Sequence, residues 1–170
     1  MKKYLSSFVC GFGAGVLQIV PVAKSFSCCL IIPAAAYLAL ILDRKALGET
    51  GIIKMSKGLK IGVITGLYAA LFGSGFEILI TFITKNSDII VAYPELQKML
   101  TSFPLAESLI EQTQDLLASV VNDIRTTGFS FLYTFAVISN NLFVDVIFGL
   151  IGGLVGVQII NSRTTKSISK

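Results

Sequence analysis

Long uncharged apolar runs alternate with short charged stretches along this 170-residue chain, a pattern that predicts helices crossing a bilayer several times. The first run, residues 5–22, follows Lys2 and Lys3 and holds no charge before Lys24. A cleaved leader has the same basic start, and Pro21-Val22-Ala23 loosely imitates a cleavage site, but proline three residues before the cut disfavours cleavage and the run reads as a retained span. The second run, 26–42, is closed by Asp43-Arg44-Lys45, and the short stretch between the two runs leaves room only for a tight hairpin. Pro33 inside the second run predicts a kink, since proline removes one backbone donor. After Lys54, Lys57 and Lys60 the third run covers residues 61–84, about 36 Å of helix.

Residues 129–160 are apolar again, but one helix of that length would reach about 48 Å, beyond a hydrocarbon core of about 30 Å. The polar triplet Ser139-Asn140-Asn141 is the natural division. It leaves 129–138, with Tyr133 and Phe129, Phe131 and Phe135, as an entry segment at the interface and 142–160 as the fourth span.

Between the third and fourth spans the chain changes character. Acidic residues appear, Pro94 and Pro104 punctuate, and Leu109, Ile110, Leu116, Leu117, Val120, Val121 and Ile124 recur at the three-and-four spacing of an amphipathic helix. Ser102 with Pro104 marks its start and Thr126-Thr127-Gly128 its stop. The expected fold is therefore all-α: one polytopic membrane domain over 1–170, with four transmembrane helices and an extracytoplasmic amphipathic helix within an external segment of about 85–138.

Charge sets the orientation. Lys2, Lys3, Arg44, Lys45, Lys54, Lys57, Lys60, Arg163, Lys166 and Lys170 fall on one side of the four-span arrangement, and Lys24, Lys85, Lys98 and Arg125 on the other. Ten basic residues against four place both termini in the cytoplasm by the positive-inside rule. The net charge of +4 is thus accounted for by topology and anionic lipid, and nucleic-acid binding is not expected.

Lipid gives helices no hydrophobic reason to associate, so close packing falls to small residues. Gly11 and Gly15 in the first span, Gly62 and Gly66 in the third, and Gly149, Gly152, Gly153 and Gly156 in the fourth are the expected helix-packing positions, with Ala35 and Ala39 in the second. The same stripes, above all the fourth, could instead face a second copy of the chain or a membrane-protein partner.

Ionisable groups within spans cost roughly 2.5–3.5 kcal/mol at mid-membrane, which singles out Glu77 and Asp145. Both are expected near the outer boundary, where Lys24, Asn140 and Asn141 would complete a polar cluster. Such a cluster is either a structural pairing or a proton or cation site. Cys10, Cys28 and Cys29 lie in apolar runs that lack the electropositive surroundings of a reactive thiol. The chain has no histidine, so the Cys/His sets of zinc and haem sites are missing. No catalytic constellation, metal site or cofactor is expected.

Taken together, GFGAG followed by Pro21, the Cys28-Cys29 pair, the Arg44-Lys45 exit, the glycine-rich GVITGLYAALFG, the Glu/Gln-bearing amphipathic segment and GLIGGLVG before a basic tail resemble an uncharacterised bacterial family of small four-helix integral membrane proteins, a domain of unknown function. The resemblance covers nearly the whole chain and implies the bacterial plasma (inner) membrane, with no activity attached. The expected role is a non-enzymatic subunit or scaffold of a membrane assembly; the alternative is a small proton- or cation-linked transporter or channel using Glu77 and Asp145.

Overall fold

The computed structural model describes residues 4–104 and 106–168. Lys2, Lys3 and Lys170 of the basic count lie outside them, as do the side chains of Cys28 and Lys166. Among the described residues the chain is all-α, without a strand: α1 (Leu5–Leu17), α2 (Pro21–Ser25), a π-helical turn (Ser27–Ile31), α3 (Ile32–Leu47), α4 (Met55–Thr84), α5 (Asp88–Ser102), α6 (Glu107–Thr127) and α7 (Phe131–Ile168). Two of these, α4 and α7, are long and apolar enough to cross a membrane. The chain divides into two units, one of residues 1–76 and 138–170 and one of residues 77–137.

Three of the differences between the helices and the apolar runs have a clear local cause. The 5–22 run does not form one helix: α1 stops at Leu17, 13 residues or about 20 Å long. Pro21 begins α2, and the residue before a proline is disfavoured in the helical region: Val20 is extended (φ −74°, ψ 120°), so the helix ends first. Pro33 sits in the first turn of α3, where its missing N–H is least costly, directly after the π-helical turn. The expected division at Ser139-Asn140-Asn141 is absent, because α7 runs unbroken for 38 residues, about 57 Å. Asparagine costs only a fraction of a kcal/mol in a helix, and Asn141 finds a partner on α4 that makes a break unnecessary.

In the first unit, backbones approach at glycines. Along the α4–α7 seam, a Cβ added to Gly58 would meet Gly153, one on Gly62 would meet Gly149, and one on Gly66 would meet the carbonyl of Asp145, each too close to be accommodated. Gly152 lies against the Pro33 backbone and Gly156 against Tyr37 and Leu40, which seats α7 on α3. On the other side of α4, Gly11 and Gly15 of α1 lie against Tyr68 and Phe72, where an added Cβ would be 2.6 Å and 2.8 Å from theirs. Beside this contact Phe8 and Phe12 meet Tyr68, Phe72 and Phe76 edge-on, with centroids 5.0–6.1 Å apart. Two buried clusters fill the space between the four helices. Ala14, Ile32, Ala35 and Ala69 form one, and Ala39, Leu40, Ile53, Ile61, Val157 and Ile160 the other.

The second unit holds α5 and α6 with the adjoining parts of α4 and α7. Glu107 in the first turn of α6 and Arg125 in the last complement the helix dipole. Gly128 closes α6 at φ +79°, and a Cβ there would also strike the backbone of Phe82, so both conformation and space demand glycine. Val120, Ile124 and Tyr133 form the buried centre.

Because the α4–α7 seam has no room for a Cβ, Gly62→Ala is expected to lower the thermal midpoint of the detergent-solubilised protein, at a cost of about 1–3 kcal/mol or more. Gly13→Ala and Gly75→Ala meet open space and should leave the midpoint unchanged or slightly raised. Equal midpoints for Gly62→Ala and Gly13→Ala would contradict the seam.

Candidate functional site

In the first unit two polar pairs join apolar helices. Asp145 on α7, only 3% exposed, accepts a hydrogen bond from Gln18 Nε2 at 2.8 Å. Gln18 immediately follows α1, and its amide reaches α7 by passing over Gly73 of α4. A Cβ on Gly73 would occupy the position of Gln18 Oε1, so this glycine makes the room that the amide needs. One turn earlier on α7, Asn141 Nδ2 donates to Ser74 Oγ on α4 at 3.1 Å. Among the described residues Asp145 has no cationic partner, and Asn140 is exposed and makes no hydrogen bond through its side chain.

Lys24 lies exposed on α2 in the first unit. Glu77 belongs to the second unit, where Tyr133 donates to its Oε1 at 3.3 Å. The five polar residues anticipated as one cluster are therefore distributed over two units, and within the first of them the structure joins Asp145 to Gln18 and Asn141 to Ser74. Gln18 and Ser74 did not stand out in the sequence because neither carries a charge, and Tyr133 was placed only as an interfacial aromatic. The signal available was an uncharged polar side chain in an otherwise apolar run, the kind that hydrogen-bonds between helices in lipid.

A second polar group gathers where α3 ends and α4 begins. Asp43, buried on α3, lies 2.8 Å from Lys57 Nζ of α4, and Glu49 Oε2 lies 2.7 Å from the same ammonium. Arg44 secures the connection by donating from Nε to the carbonyl of Glu49 (2.9 Å) and from Nη2 to that of Thr50 (2.6 Å) and to Thr164 Oγ1 on α7 (3.1 Å). Asn161 of α7 pairs with Ile53 through both backbone groups, accepting from its N–H at 2.8 Å and donating to its carbonyl at 2.9 Å. These bonds tie the α3–α4 connection to α7.

The described residues hold no group of three or more His, Cys, Asp or Glu placed to bind a metal ion. The chemistry open to the Gln18–Asp145 pair is proton or cation exchange at one carboxylate, and that open to the α3–α4 end is charge recognition. In comparisons with known proteins, the chain matches no family model, no curated protein and no solved structure.

Gln18→Leu should leave Asp145 buried without a donor and cost about 1–3 kcal/mol. Adding Asp145→Leu to it should restore most of that loss, because the buried acceptor is removed together with its lost partner. Thermal unfolding of the two single variants and the double variant measures this coupling. Strict additivity would show that the bond contributes nothing.

Proposed function

We propose that the chain is a four-pass membrane protein with both termini in the cytoplasm, acting as a non-enzymatic subunit or scaffold of a membrane assembly. Four passes are supported by the two long apolar helices together with the 21 residues of the π-helical turn and α3, about 31 Å, and by the apolar run 5–22, which α1 and the start of α2 share. The orientation is supported by the ten-to-four basic asymmetry.

The scaffold role is carried by one observation, the open apolar surface of the second unit. Burial on α6 is confined to Val120, Val121 and Ile124 near its C-terminal end, while Leu109 and Leu116 stay exposed. No residue of α5 is buried, and Val91 is 73% exposed. Apolar side chains placed so call for cover from a partner surface.

The protein is expected to stay in the membrane fraction after alkaline carbonate extraction, and mild-detergent purification from its native host should bring down a stoichiometric protein partner visible by native mass spectrometry. Leu109→Asp with Leu116→Asp should remove that partner without moving the thermal midpoint. Release by carbonate would refute membrane integration, and a bare chain in the mass spectrum would refute the scaffold.

A second reading, proton- or cation-linked transport through Glu77 and Asp145, is favoured by the burial of Asp145 against an uncharged amide. It predicts pH-dependent flux in proteoliposomes that Asp145→Asn and Glu77→Gln each abolish while the protein remains folded. Normal flux through both variants would end it.

A further inference from the structure

A cavity of about 470 Å³ opens between the C-terminal parts of α3 and α7, lined by Tyr37, Ile41, Arg44, Lys45, Ile160 and Arg163 together with the connection after α3. Among the described residues none of its cations forms an ion pair. Glu49, the one carboxylate at its edge, is engaged by Lys57 at 2.7 Å. Arg44 is held by two carbonyls and a hydroxyl, all uncharged acceptors, so the guanidinium is fixed in place with its charge uncompensated and its Nη1 hydrogens without an acceptor among the described residues. Lys45 and Arg163 are exposed and have no ion-pair partner among the described residues. A second cavity of about 470 Å³ near the start of α4 differs on this point, since Asp43 and Glu49 both line it and both meet Lys57.

The surroundings of the basic cavity are apolar in a directed way. On α3, Leu38 and Leu42 precede Lys45 at spacings of four and three, and on α7, Val155 and Ile159 precede Arg163 at spacings of four, so each cation ends an exposed aliphatic row on its own helix. Fixed and free cations at the head of two aliphatic rows complement a molecule with an anionic head and hydrocarbon tails. We propose that this cavity binds the phosphate head group of an anionic phospholipid, with its acyl chains along Leu38, Leu42, Val155 and Ile159. The inference rests on the membrane reading above. Basic pockets between membrane helices on the cytoplasmic side recognise such head groups through the same charge pairing. Arg44 supplies the preorganised donor, and Lys45 and Arg163 close on the phosphate from either helix.

Native mass spectrometry of the full chain in detergent, titrated with phosphatidylglycerol and with phosphatidylcholine, tests the site. The wild type should retain phosphatidylglycerol preferentially. Lys45→Gln with Arg163→Gln should bind it about 30-fold more weakly, and Arg163→Gln alone about fivefold more weakly, with unchanged thermal midpoints. Lys54→Gln with Lys60→Gln, which removes the same charge from the start of α4, should bind as the wild type does. Equal loss in that control would assign the binding to diffuse charge, and displacement of the lipid by equimolar inorganic phosphate would assign it to a free anion; either result overturns the proposal, as does a wild type without preference. Failure of the membrane reading is separate, because it shows as release of the protein by carbonate.

Discussion

Contact between the backbones of α4 and α7 through facing glycines is the constraint on which the rest of the first unit depends. Gly58, Gly62 and Gly66 meet Gly153, Gly149 and the Asp145 backbone at a regular four-residue advance, which fixes the antiparallel register of the two longest helices. Helices that close gain dispersion contacts along their whole length, the main source of association where water is absent.

That register decides where the polar groups fall. It sets Asn141 opposite Ser74, and it leaves Asp145 beside a gap over Gly73 through which Gln18 reaches it. A buried carboxylate without a donor would cost far more than the single bond contributes, so the glycine and the glutamine act together. At the other end of the same helices the solution is ionic: Lys57 answers Asp43 and Glu49, and Arg44 and Asn161 fasten the α3–α4 connection to α7. Arg44 satisfies the carbonyls it meets without losing its charge, which leaves a basic, preorganised face beside exposed aliphatic rows.

The second unit follows a different rule. Its centre, Val120, Ile124 and Tyr133, is small, and much of α5 and the first half of α6 keep apolar residues on the surface. A helix pair with so small a centre of its own draws little stability from its own packing.

The sequence by itself determined that the described chain is helical, because long apolar runs and a three-and-four amphipathic spacing stopped at Gly128 leave little else. It also marked α4 and α7 as long and apolar enough to cross a membrane, since length and composition alone decide that. It did not determine that α1 ends at Leu17 or that α7 continues through Asn140 and Asn141, since Pro21 outweighs the apolar run before it and Ser74 on α4 removes the need for a break. Glu77 and Asp145 stood out through their charge, but their partners Tyr133 and Gln18 are uncharged and lie 56 and 127 residues away. Spacing along a chain shows which residues share one helix face. Which face meets which, and so which polar group is answered by which, is settled only when the helices pack.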